Sequence, residues 1–152
     1  MPETLYDALR ESHALQRSLC RRLLRSAPRS ERRIAVFSAL RIELAAHAAA
    51  EERFLYVPML MHDAGLHSSR HALHEHHEID ALVEDMQVLD KNGAGWMARA
   101  RKLSKTVHHH LREEERGFFQ VSGKLLTAAA KQSLARSYRK DLARMRKLLA
   151  GA

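Results

Sequence analysis

One spacing constrains this chain more than any other feature, because it occurs twice. His47 is followed by Glu51 and His110 by Glu114, and the two pairs lie 63 positions apart (47 to 110, 51 to 114). The flanks repeat as well: His47-Ala-Ala-Ala-Glu51-Glu52-Arg53 returns as His110-Leu-Arg-Glu-Glu114-Glu115-Arg116. Upstream, His13 precedes His47 by 34 positions, and His76 precedes His110 by the same 34. A single His-x-x-x-Glu on a helix is an ordinary surface pair. Two copies, each with an upstream His at matched distance, read as an internal duplication in which each half is a pair of helices.

Everything else in the chain agrees with helices. Ala, Leu, Arg and Glu dominate, the 6 Gly and 3 Pro are scarce, and no long alternation of Val, Ile and Thr occurs. At 152 residues one domain is expected, long enough to bury a sizeable core. The predicted fold is all-α: an up-down-up-down four-helix bundle over residues 1–123, followed by a C-terminal amphipathic fifth helix over 124–152. Apolar periodicity places the first helix at about Glu3–Arg25 and the second at Glu31–Met61 after a Ser30 cap. Pro58 should kink or end the second helix near Val57. Residues His62–Ser69 read as a loop, with Ser68 or Ser69 capping a third helix at Arg70–Asp90. The fourth helix is expected at Trp96–Val121 and the fifth at Leu125–Leu149.

The repeated residues fall on the inward faces. His13 lies in the apolar stripe of the first helix. Glu51 sits between Leu44 and Leu55 on the stripe of the second, and a buried carboxylate without a partner is costly. Among the crowded histidines of the third helix, both the helical wheel and the repeat offset select His76; His74 and His77 point to solvent and His71 lies on the edge. On the fourth helix Glu114 matches the repeat, while Glu115 would reach the interior only through a π-type irregularity. The candidate metal ligands are therefore His13, His47, Glu51, His76, His110 and Glu114. Imidazole and carboxylate together suit iron, manganese or zinc rather than calcium or magnesium. Bundles build such sites from facing helices, and two cations between Glu51 and Glu114 would relieve the repulsion of the carboxylates. The competing reading is a hydrogen-bonded polar core with no metal.

Several classes are excluded or disfavoured. A single cysteine, Cys20, allows neither a disulfide framework nor a Cys-based zinc site, and is read as core packing. No apolar run approaches the roughly 20 residues of a membrane span, and the first residues lack the layout of a secretory signal, so a cytoplasmic location is expected. From Lys124 onward eight Lys and Arg stand against Asp141, a net of +7 out of +8 for the whole chain. This basic side is read as a solvated face whose apolar side docks on the bundle or on a second copy in a homodimer. Binding of nucleic acid or an anionic surface is the disfavoured alternative, because the tail carries one aromatic, Tyr138, and no known nucleic-acid motif.

The order of His13, His47 with Glu51, His76, and His110 with Glu114 resembles the hemerythrin-like, HHE cation-binding domains. So do the stretches Glu51-Glu52-Arg-Phe-Leu-Tyr-Val-Pro58 and Glu114-Glu115-Arg-Gly-Phe118-Phe119, and the likeness covers about residues 3–121. It implies two iron ions joined by an oxo or hydroxo bridge, reacting with dioxygen, peroxide or nitric oxide. The function implied is oxidative-stress defence or oxygen and redox handling, as a peroxidase- or oxidase-like oxidoreductase if it is an enzyme. A sensor signalling through the basic helix, and a reversible oxygen carrier, are the alternatives. The chain departs from the oxygen-carrying members at Ala72, where they have a further His. One metal should therefore keep an open position, to be filled by His71, Glu75 or water, which favours oxidant chemistry over carriage.

Overall fold

Thr4 starts the chain's first helix. Its side chain accepts from the Asp7 amide while the Asp7 carboxylate accepts from the Thr4 amide, a reciprocal capping box. In this computed structural model, which describes residues 2–151, α1 runs Leu5–Leu24 and α2, capped by Ser30, runs Glu31–Glu51. A π turn at Glu52–Tyr56 carries α2 into a last α turn, Val57–Leu60. Next come α3 (Asp63–Val88) and α4 (Ala94–Glu113), the latter extended by a π turn at Glu114–Phe118 and by Phe119–Leu125. Thr127 caps α5 (Ala128–Ala150). The described residues form an all-helical four-helix bundle with an extra C-terminal helix.

Three boundaries depart from the sequence reading. Residues 63–69 are helix rather than loop, because Gly65 lets α3 lie directly against Met59; a Cβ there would come within 2.7 Å of the Met59 carbonyl oxygen. Ser69 consequently bonds back to the Gly65 carbonyl at 2.7 Å instead of capping. The second helix reaches Leu60, close to the expected Met61, and Pro58 interrupts it without ending it: the π turn just before the proline widens the helix where its ring would otherwise press on the preceding turn. The fourth helix reaches Leu125, past the expected Val121, and α5 starts three residues late because Leu126 is extended and Thr127 provides the cap.

The interior is two apolar clusters with a polar layer between them. One cluster gathers Leu19, Leu23, Phe37, Leu40, Val83, Met86, Trp96 and Leu103; the other gathers Leu5, Leu9, Leu55, Met59, Phe118 and Phe119 with Tyr138 and Leu142 of α5. Along each helix the repeated His and Glu residues lie between the two. The fifth helix packs across α1 and α2. Its basic side is partly tied down: Arg139 bonds Glu11 at 2.6 Å and Glu3, and Arg146 bonds the buried Glu43 at 2.7 and 2.8 Å. Among the described residues, no helix is long and apolar enough to cross a membrane.

Candidate metal centre

The four helices of the bundle bring all six repeated residues into the polar layer, and none is more than 5% exposed. His13 Nε2 lies 3.2 Å from Glu114 Oε1 and 3.9 Å from Glu51 Oε2, while His47 Nε2 lies 3.3 Å from Glu51 Oε1. On the other side, His76 Nε2 is 3.2 Å from Glu51 Oε1, and His110 Nε2 is 3.7 Å from Glu114 Oε2. The duplication is visible as geometry. The His13 and His47 rings meet at 5.1 Å and 68°, and the His76 and His110 rings at 4.8 Å and 67°. Two overlapping groups suited to a cation result: His13, His47, Glu51 and Glu114, and Glu51, His76 and His110. Glu51 belongs to both.

Hydrogen bonding within the chain leaves this interior incomplete. His13 Nε2, His47 Nε2, Glu51 Oε2 and Glu114 Oε1 are buried without a hydrogen-bond partner, an arrangement that natural cores rarely tolerate. One such atom comes from each member of the first group, and all four are metal-donor atoms. The residues therefore fit a cation. In its absence protons balance the carboxylates. Burial alone would push the His76 imidazole down, but Glu51, Glu52 and Glu114 hold it up at about 10. His13 is likewise held well above its ordinary value, against burial, by Glu114, Glu115 and Glu51. Burial would raise Glu51, yet His47, His13 and His76 keep it well below the usual carboxylate range.

Three of the four imidazoles are oriented from behind. His13 Nδ1–H donates to Glu115 Oε2 at 2.8 Å, and His110 Nδ1–H donates to Glu75 Oε1 at 2.8 Å. His76 Nδ1 is buried with no hydrogen-bond partner, Glu52 Oε1 standing 3.8 Å away, whereas His47 Nδ1 lies 2.7 Å from the Tyr138 hydroxyl. Such partners fix the tautomer and leave Nε2 free to face a metal. Glu115 is itself gripped by Arg17 at 2.8 Å; despite burial, His13 and Arg17 hold its carboxyl down at about 2. Glu52 and Glu115 occupy the same repeat position, and each reaches the upstream His of the other half. The π turn considered for the fourth helix is present, but it leaves Glu114 inside and Glu115 behind His13.

Sequence reasoning missed Tyr56. Its hydroxyl lies among Glu51 Oε1 at 2.7 Å, His76 Nε2 at 3.1 Å and Glu114 Oε2. Burial, with Glu114 and Glu51 adding to it, holds the phenol well above its ordinary value, so in this arrangement it donates a proton. Five positions beyond Glu51, Tyr56 would point off the inward face at 3.6 residues per turn. The wider π turn brings it back. At the matching position of the other half stands Phe119, so only one side of the centre has this oxygen.

Ala72 opens the centre to the outside. It lines a cavity of about 550 Å³ that also borders Glu75, His110, Glu114 and Phe118. Neither His71 nor Glu75 turns inward to replace the missing ligand. His71 is exposed and bonds Glu113 at 3.0 Å, and Glu75 is engaged with His110 Nδ1.

The Hemerythrin HHE cation binding domain model matches residues 4–121. A crystal structure of a hemerythrin HHE cation binding domain-containing protein from Mycobacterium kansasii shares the fold, with a TM-score of 0.85 over 95% of this chain and 88% of that one at 24% identity. No curated protein matches the chain.

Proposed function

Because this chain belongs to the Hemerythrin HHE cation-binding family, and so carries a metal-cation site built from His and Glu, we propose that it holds two iron ions and reacts with dioxygen, peroxide or nitric oxide in oxidant defence or redox handling. The observation that carries this reading is the set of four unpartnered donor atoms, His13 Nε2, His47 Nε2, Glu51 Oε2 and Glu114 Oε1, beside a second group that shares Glu51. His13 and His47 would hold one ion, and His76 and His110 the other, with Glu51 and Glu114 between them. Tyr56 is an added oxygen donor on the side of His76. Manganese or zinc fits the same donors; iron is preferred on family grounds.

When bound, iron supplies the one-electron chemistry and the coordination position that a small oxidant or nitric oxide needs. The chain's own residues do the rest. Glu115, Tyr138 and Glu75 hold the His13, His47 and His110 rings in register from behind. Leu44, Leu55, Phe118 and Phe119 keep the layer apolar on either side. The cavity at Ala72 gives a small molecule a path toward His110 and Glu114. The Tyr56 hydroxyl has a single proton to share between the Glu51 and Glu114 carboxylates, and can shift it from one to the other as charge changes between them.

A sensor is the second reading, favoured by one contact: Tyr138 ties α5 directly to His47. A reversible carrier fits less well, because Ala72 leaves a ligand position unfilled by histidine. The test is consumption of hydrogen peroxide by the iron-loaded protein. Turnover that is lost in Glu51→Ala supports the oxidoreductase reading. Binding of nitric oxide or dioxygen without turnover overturns it in favour of the sensor or carrier.

A further inference from the structure

The chain contains a second pair of His-x-x-x-Glu spacings, out of phase with the first: His71 with Glu75 on α3, and His109 with Glu113 on α4. Because the two helices pack side by side, these four side chains meet. His71 Nε2 lies 3.0 Å from Glu113 Oε2 and 3.5 Å from Glu75 Oε2. His109 Nε2 lies 3.2 Å from Glu113 Oε1 and 3.9 Å from Glu75 Oε2. We propose that His71, Glu75, His109 and Glu113 form a third, solvent-facing site for a divalent transition-metal cation, at the mouth of the cavity that leads to the interior centre.

The donor geometry supports a cation rather than four separate surface pairs. A tetrahedral site with bonds of about 2.1 Å has ligand–ligand edges of about 3.4 Å; His71, Glu75 and Glu113 each bring a donor within 4.8 Å of the other two, the His71 distances of 3.0 and 3.5 Å bracket the ideal edge, and His109 approaches from the other Glu113 oxygen at 3.2 Å. An isolated i,i+4 pair on a helix surface involves two groups and is worth only tenths of a kcal/mol. Here each imidazole faces carboxylates from both helices, and each carboxylate faces both imidazoles. Mixed imidazole and carboxylate donors select iron, zinc, manganese or cobalt over magnesium and calcium.

Glu75 separates this cluster from an ordinary exposed one. It is 8% exposed, and its two oxygens face opposite ways. Oε1 accepts from Nδ1 of the interior His110, while Oε2 faces His71 and His109. All four residues line the cavity that also reaches Ala72, His110 and Glu114. A cation held here stands in the path to the interior and shares a carboxylate with the shell behind His110. The site is thus placed to take up a cation before it moves inward. Only that loading role rests on the interior reading; the site itself does not.

The test is a calorimetric titration of the full-length, metal-free chain with Co²⁺, with visible absorption followed in parallel. Wild type is compared with His71→Ala/His109→Ala and with Glu113→Gln. The replaced positions are exposed, and a thermal melt checks that folding is retained. The expected result is that the double variant binds one equivalent fewer than wild type and that Glu113→Gln weakens the same equivalent. Equal stoichiometry and affinity in all three proteins overturns the proposal. One equivalent in wild type and none in the double variant would support this site while removing the interior one, so the two readings fail separately.

Discussion

The Tyr138 hydroxyl stands 2.7 Å from Nδ1 of His47, across 91 positions of chain and from a helix that lies beyond the residues matched by the family. In the other half of the duplication the equivalent histidine, His110, is held by Glu75. The position that matches Glu75 is Ser12, whose short side chain bonds Glu43 instead. A residue of α5 therefore does on one side what a bundle residue does on the other. Tyr138→Phe should leave the fold intact, costing about 1 kcal/mol in a melt, and should weaken metal retention by about 10- to 100-fold, as loss of a partner behind a ligating histidine does. Competition with a chelator measures this, and unchanged retention would show that Tyr138 only packs.

Tyr56→Phe removes the oxygen that lies among Glu51, Glu114 and His76. The metal-free variant should lose about 1–3 kcal/mol of stability, because buried acceptors lose their donor. If the phenol donates to ferric iron, the iron-loaded wild type has a visible phenolate charge-transfer band that the variant lacks. Absorption spectra of the two proteins decide this.

Stability of the metal-free chain should fall as pH rises. His76 is held at about 10, above its ordinary 6.5. A group raised on folding contributes stability that is fully present below 6.5 and is lost as pH climbs through about 10. Metal needs the neutral imidazole, so over the same window binding should strengthen and release fewer protons. Urea midpoints across this range should fall for the metal-free chain and stay level with metal bound, because the stronger binding offsets the stability lost as His76 deprotonates.

Ala72→His restores the histidine that the oxygen-carrying members possess and fills part of the cavity beside His110 and Glu114. Azide affinity of the iron-loaded protein should drop by about tenfold, or 1.4 kcal/mol. Unchanged affinity would mean that small ligands reach the centre by another route.

The duplication made the convergence of His13, His47, Glu51, His76, His110 and Glu114 legible from sequence, since all six meet in one buried layer. What escaped has physical causes. Tyr56 faces inward only because of a π turn, which no 3.6-residue periodicity reveals. Tyr138 has no counterpart in the repeat, and its stripe on α5 reads as ordinary packing. Gly65 and the serines after it read as loop punctuation, although the glycine is there to let α3 approach Met59. His71 reads from sequence as an edge residue and a candidate for the position at Ala72, and only the packing of α3 on α4 brings it beside His109 and Glu113.

Metal content of the protein expressed in iron-supplemented medium, measured alongside a Glu51→Ala/Glu114→Ala variant, tests the central claim most directly. The account predicts about two tightly held irons per chain in the wild type, near-ultraviolet bands of a bridged pair that respond to azide, and loss of both irons in the variant. One iron or none in a wild-type chain whose melting is unchanged by chelator would contradict it, and would make the six residues a structural polar layer.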